Sequence, residues 1–193
     1  MARVRRRDPR SDEALVQACN EGDASQAAQA FEALYFRHKD YVLRVALRFV
    51  PDTDTALDVL QETFAYLLRR FPPTGEGLVL TAKLTSLLYP VAKNTAITAL
   101  RKAGRFPSGD QAPDDLPGAE RAEPSGGSGD IRKVLAELPA GQREVLQLRF
   151  VDDLSLQEVA DVLEIPLGTV KSRLHLGIAR LRDSDFAKRL RGD

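Results

Sequence analysis

The chain has 193 residues, 43% of them apolar, with 28 Lys plus Arg against 28 Asp plus Glu; it is long enough for one ordinary domain or two small ones with modest cores. A formal charge of zero excludes a uniformly basic nucleic-acid binder, and no apolar run approaches the roughly 20 residues that span a bilayer, so no membrane insertion is expected. The single cysteine, Cys19, excludes an intrachain disulfide and a multi-cysteine metal site and fits a reducing, cytoplasmic setting.

Taken in chain order, the N-terminus MARVRRRDPR is basic but lacks the apolar stretch of a signal peptide. Residues 1–10 read as a disordered basic tail, solvated rather than bound to DNA. Ser11 is a good N-cap, and a first helix is expected from there to about Glu21, broken by Gly22 and Asp23. A second is expected from about Ala24 to Val50, with Phe31, Leu34, Tyr35, Tyr41, Val42, Val45, Ala46 and Phe49 at three- and four-residue steps, stopped by Pro51. Asp52-Thr53-Asp54-Thr55 offers caps for a third. That helix is expected to run to about Phe71 and bury Leu57, Leu60, Phe64, Leu67, Leu68 and Phe71. After the breaker Pro72-Pro73-Thr74-Gly75, a fourth helix is expected over about Thr81 to Lys102. Pro90 inside it predicts a kink or a late start.

Residues 106–130 differ in kind. They hold Pro107, Pro113, Pro117 and Pro124, end in Ser-Gly-Gly-Ser-Gly-Asp, and carry six acids against one base, Arg121. Such a segment cannot build a core and reads as a flexible acidic linker. The expected architecture is therefore all-α. One small helical domain spans 11–105, and a second, over 131–193, contains a helix-turn-helix. In the second domain, Pro139 precedes a helix from about Gly141 to Val151, and Ser155 with Glu158 fits a capping box. A tight turn follows over 164–168. Thr169 is expected to cap a last helix, Val170 to about Arg182.

The zero net charge hides two basic stretches. From Gly77 to Gly109 there is no acid, but Lys83, Lys93, Arg101, Lys102 and Arg105 are present; from Pro166 to Arg182 there is again none, with Lys171, Arg173, Arg180 and Arg182. Phosphates respond to such faces rather than to net charge. The major groove admits a helix whose first residues reach base edges. Thr169, Lys171, Ser172, Arg173 and His175 are the candidates for that role. A plain helical hairpin with a solvated basic face would show the same spacing, but the lack of acids and the Thr-x-Lys-Ser-Arg turn favour DNA.

The segments Leu138-Pro139-x-x-Gln142-Arg143-Glu144-Val145-Leu146, Leu148-Arg149-Phe150, Leu154-Ser155-x-x-Glu158-Val159-Ala160 and Ile165-Pro166-x-Gly168-Thr169-Val170-Lys171-Ser172-Arg173-Leu174 carry a resemblance. So do Phe31-x-x-Leu34-Tyr35, Asp58-Val59-Leu60-Gln61-Glu62-Thr63-Phe64 and Leu88-Tyr89-x-Val91-Ala92-Lys93-Asn94 with Leu100-Arg101-Lys102. Together they resemble the extracytoplasmic-function (ECF) sigma factors of the sigma-70 family. The resemblance implies a cytoplasmic, non-enzymatic initiation factor that needs no cofactor or metal and directs core RNA polymerase to promoters. It implies polymerase contacts by Asp58, Gln61, Glu62 and Phe64 on the clamp helices of the largest subunit, with a further contact to the flap. It also implies −10 contacts by Lys93, Asn94, Arg101 and Lys102, a strand-receiving loop over Pro72 to Lys83, and −35 contacts by the last helix. Many members of this family are held by an anti-sigma protein. The linker would either thread the polymerase or serve as a tether.

Several residues depart from the pattern. The chain has no tryptophan. Leu87 stands where an aromatic is common, Pro90 where a cation is common, Glu164 where glycine caps a helix, and Leu176-Gly177 where Arg-Ala is usual. Two other readings are compatible with parts of the chain: a LuxR-type operator-binding regulator, and a degenerate sigma-like protein that binds polymerase without opening DNA. Against an enzyme, His38 and His175 fall in different domains, and Gly75-Glu76-Gly77 lacks the strand–helix context of a phosphate loop.

Overall fold

Local caps set the first two helices. In the computed structural model, which describes residues 8–104 and 135–183, the Ser11 hydroxyl accepts from the Ala14 amide and opens α1 (Asp12–Glu21). Asp23 accepts from the Ser25 and Gln26 amides, while the Gln26 side chain accepts from the Asp23 amide, a reciprocal box that starts α2 (Ala24–Ala46). α2 ends before the expected Val50. A residue preceding proline avoids the helical region, and the chain tightens there through bonds from Arg48 N to Val45 O and from Phe49 N to Ala46 O.

Asp52 accepts from Thr55 N at 2.8 Å and caps α3 (Thr53–Arg69). Its buried face is Ala56, Val59, Leu60, Thr63, Phe64 and Leu67. Two residues expected in the core are outside it: Leu57 is 40% exposed and Leu68 51%. The two apolar stripes of this helix overlap in sequence, and the smaller residues Ala56 and Thr63 face inward instead. Thr63 avoids the cost of a buried unpaired hydroxyl by donating to Val59 O at 2.7 Å. α4 (Leu84–Lys102) begins three residues later than expected and contains Pro90 within it. Proline lacks an amide, so the Ser86 carbonyl is the helical acceptor left without its regular donor.

α2 is the organiser of this unit, packing on α1, α3 and α4. Phe31 and Tyr35 meet Phe64 edge to face at centroid distances of 6.3 and 4.8 Å, and Phe31 meets Phe71 at 6.3 Å. Such pairs add about 0.5–1.5 kcal/mol each beyond burial. Phe49, just past α2, meets Tyr89 of α4 at 6.5 Å.

Polar contacts fix α1. Arg37 donates to Asp12 Oδ1 at 2.6 Å, and His38 Nε2 lies 2.8 Å from Asp12 Oδ2. Arg37 also donates to the backbone carbonyls of Asp8 and Arg10 at 2.8 and 2.7 Å. Residues 8–10 therefore do not belong to a free tail, as the sequence led us to expect: a guanidinium more than 25 positions away holds them. Burial pushes the Asp12 carboxyl up, but the hydrogen bonds from His38 and Arg37 outweigh it and hold it below the usual carboxylate range.

The chain divides into two units, with the break between Lys102 and Ala103. The expected linker over 106–130, the start of the expected second domain at Ile131, residues 1–7 and residues 184–193 lie outside the described residues. In the second unit, α5 (Ala140–Leu146) passes into a π-helical turn, Gln147–Val151, where one continuous α-helix was expected. The wider turn buries Leu148 and leaves Phe150 and Val151 exposed. Arg143 anchors the approach to α5 by donating to the carbonyls of Ala136 and Leu138 at 3.1 and 3.0 Å. The Ser155–Glu158 capping box is present at the start of α6 (Leu156–Leu163).

α7 (Leu167–Asp183) starts earlier than expected. The Pro166 carbonyl accepts from the amides of Thr169 and Val170 at 2.8 and 3.1 Å, so Thr169 lies inside the first turn and does not cap the helix. α7 packs on both α5 and α6. Among the described residues every regular element is a helix, and no helix among them is long and apolar enough to cross a membrane.

Candidate nucleic-acid interface

The turn between α6 and α7 decides where α7 points. Glu164 takes the left-handed conformation, φ 54° and ψ 39°, and the Ile165 amide donates back to Ala160 O at 3.1 Å, the closure that a helix-ending αL residue makes. A residue with a Cβ pays for φ near +54° where glycine would not. Ile165-Pro166 then leads directly into α7.

Along α7 the exposed positions are Gly168, Lys171, Ser172, His175, Leu176 and Arg180, with Arg182 and Asp183 at its end, one stripe at helical spacing. Thr169 is half-buried beside it. Lys171, Ser172 and His175 thus share a solvent face in the first half of the helix, as a groove-reading helix requires. Arg173 sits on the flank. It is half-buried, and its guanidinium lies against Gly141 of α5, where an added Cβ would be 2.8 Å from Nη1. Arg180 is tied to α5 as well, donating to Gln142 Oε1 at 3.2 Å.

Gly177 has a meaning the sequence did not reveal. It is buried, and a Cβ there would stand 2.8 Å from Leu146 Cδ1. The residue read as part of a lost cationic contact is a point of close approach between α7 and α5. No sequence signal distinguishes a close-packing glycine from an unfavourable helical one; the presence of glycine mid-helix is itself the only hint.

In the first unit, Asp58, Gln61 and Glu62 are exposed on α3, and Leu57 and Leu68 flank them on the same side. Phe64 is not on this surface: it is 4% exposed and packs against Phe31 and Tyr35. As a polymerase contact it is misplaced by the sequence reading, since its aromatic ring completes the α2–α3 core. On α4, Asn94, Arg101 and Lys102 are exposed and Lys93 is half-buried. The Lys93 ammonium lies 5.8 Å from the centroid of Phe49, a cation–π distance. Asn94 falls seven residues before Arg101, so the two lie on one side of the helix.

The loop from Pro72 to Lys83 connects α3 to α4. Gly75 N donates to Phe71 O and Gly77 N to Arg70 O, at 2.9 and 3.0 Å. Farther on, the Asn20 carboxamide of α1 pairs with the backbone of Leu78 in both directions: its Nδ2 donates to Leu78 O at 2.7 Å, and Leu78 N donates to Asn20 Oδ1 at 2.9 Å.

Family models described as Sigma-70 region 2 and Sigma-70, region 4 match residues 34–106 and 134–183, which include α3, α4 and the α6–turn–α7 arrangement. The chain is 31% identical over 177 residues to the RNA polymerase sigma-H factor of Pseudomonas aeruginosa, covering 84% of this chain and 88% of that one. It is 30% identical over 185 residues to the ECF RNA polymerase sigma factor SigE of Mycolicibacterium smegmatis, covering 90% and 68%. The chain belongs to the ECF sigma factors of the sigma-70 family. A solved structure of the sigma factor RpoE of Bartonella quintana, in complex with the anti-sigma factor NepR, matches in fold with a TM-score of 0.56. It is 21% identical and covers 79% of this chain and 94% of that one. ECF sigma factors direct RNA polymerase to promoters and are themselves non-catalytic.

Proposed function

We propose that this ECF sigma factor divides its work between its two units. In the second unit α7 enters the major groove of the −35 element, with Lys171, Ser172 and His175 facing the bases or phosphates and Thr169 at the entrance. Arg173 works from the flank, braced on Gly141. In the first unit Lys93, Asn94, Arg101 and Lys102 of α4 hold the backbone of the −10 strand, and the loop Pro72 to Lys83 receives an unstacked base. Asp58, Gln61 and Glu62 of α3 dock on the clamp helices of the largest polymerase subunit, and the second unit engages the flap.

One observation carries the −35 part of this reading: the exposed stripe Lys171, Ser172 and His175 on a helix without an acid from Pro166 to Arg182. Phosphate contacts supply much of the affinity, and side chains in the groove supply the sequence preference. Leu176, exposed where the family has arginine, removes one cationic contact and predicts a −35 preference that leans more on Lys171 and Arg173.

Cytoplasmic operation and control by an anti-sigma protein are part of the same proposal. The latter is supported by the fold shared with a sigma factor solved with such a partner. The test is footprinting of holoenzyme on its promoter. Two protected elements, with permanganate-reactive thymines near −10 only when this protein is present, support the division. Protection at −35 without reactive thymines contradicts the −10 part of it.

A further inference from the structure

The Pro72–Lys83 loop raises a mechanical question. It must receive a strand, yet most of it is solvent-exposed from Val79 to Lys83, and an exposed loop is entropically free unless something holds it. Val79 is 82% exposed, the most exposed large apolar side chain among the described residues, whereas its neighbour Leu78 is 6% exposed. The chain thus changes from core to open solvent within one residue, and the change occurs where Asn20 grips the backbone.

That grip is specific in its chemistry. The Asn20 carboxamide presents one acceptor and one donor to the amide and carbonyl of Leu78, at 2.9 and 2.7 Å, as a neighbouring strand would. Asn20 belongs to α1, 58 residues earlier. Gly77 completes the seat: its φ is +100°, a left-handed value that favours glycine, and a Cβ there would stand 3.1 Å from Asn20 Oδ1. A polar side chain from a separate helix therefore fixes the loop at the residue just before its exposed apolar tip.

We propose that Asn20 is a positioning residue for promoter opening: by locking Leu78 it presents Val79 as an apolar wedge to the unstacked −10 strand. Apolar side chains that meet bases at an opened step serve as such wedges in other nucleic-acid binders. A preorganised loop binds more tightly because the ordering cost is met during folding. The inference rests on the proposed role of this loop at the −10 element, and it adds a residue on α1 that itself touches no DNA.

The test uses full-length protein bound to core polymerase and a single-stranded oligonucleotide selected from a random pool on that wild-type holoenzyme. Asn20→Ala is expected to weaken binding of this strand about tenfold, about 1.4 kcal/mol, with affinity for core polymerase unchanged. Amide exchange should quicken at Leu78 while α1 to α4 keep their protection. Gly77→Ala, which pushes on the same Asn20 oxygen, should match it, and the double variant should be no worse than either. Val79→Ser should weaken strand binding without altering exchange at Leu78. Wild-type strand affinity in Asn20→Ala overturns the proposal. So does loss of protection throughout α1 to α4 together with core binding, which would make Asn20 a residue of the fold alone. If no oligonucleotide is enriched over core polymerase by itself, the loop's −10 role fails and takes this inference with it. An enriched strand indifferent to both Asn20→Ala and Val79→Ser removes this inference alone.

Discussion

Arg173 of α7 rests on Gly141 of α5: a Cβ at position 141 would lie 2.8 Å from its Nη1 and 2.9 Å from its Cζ. The one arginine among the groove-reading candidates therefore lies against a glycine on another helix. Arg173→Ala is expected to lower promoter affinity by about 1–3 kcal/mol while leaving polymerase binding intact. Gly141→Ala should weaken promoter binding less, by re-aiming the guanidinium, and should have no further effect in the Arg173→Ala background. A double-mutant cycle on promoter affinity checks this, with a coupling of about 0.5 kcal/mol or more expected.

Two glycines on α7 should respond oppositely to a side chain. Gly168 has open space around a would-be Cβ, whereas Gly177 meets Leu146. Gly168→Ala should raise stability by about 0.5–1 kcal/mol, the usual gain on replacing an unconstrained helical glycine. Gly177→Leu should lower it by about 1–3 kcal/mol through overpacking. Urea unfolding of the two variants reads both signs.

On α3, Phe64 and the acidic face should separate stability from docking. Phe64→Ala removes a buried ring from the α2–α3 cluster and should cost about 3–5 kcal/mol. Asp58→Lys with Glu62→Lys changes only exposed side chains. Its thermal midpoint should stay close to the wild-type value while binding to core polymerase is lost. Calorimetry and a core-binding assay on the same preparations distinguish the two.

These contrasts show which parts of the molecule were legible in the sequence. Caps at Ser11, Asp52 and Ser155 and the breakers at Gly22 and Pro51 act locally, so the helices and their order could be read from neighbouring residues. The facing of α3 could not: Leu57 and Leu68 are as apolar as Leu60 and Leu67, and only packing against α2 and α4 selects between the stripes. Thr169 was read as a cap because threonine favours that position, but Pro166 begins the helix first. Lys171, Ser172 and His175 stood out through charge and spacing. The roles of Gly141, Gly177 and Asn20 depend on residues distant in sequence, and no local pattern announces them.

Acid should loosen α1 in a way that depends on Asp12. Its carboxyl is held below the usual range in the folded chain by His38 and Arg37, against the upward push of burial. A group with a depressed folded pKa contributes stability that is fully present above its unfolded value, about 3.9 for aspartate. That contribution disappears as pH falls through the folded value. Asp12→Asn should therefore be less stable than wild type at neutral pH, and the difference should shrink below about pH 4. Unfolding curves between pH 7 and pH 3 measure it.

Run-off transcription in vitro decides whether this protein makes core RNA polymerase promoter-specific. Purified core polymerase is given a genomic promoter library with and without the protein. New start sites that require the protein and share two spaced elements are expected, and they should be lost with the Asp58→Lys, Glu62→Lys double variant. Stable binding to core polymerase with no protein-dependent transcript from any template would mean that the protein does not confer promoter specificity.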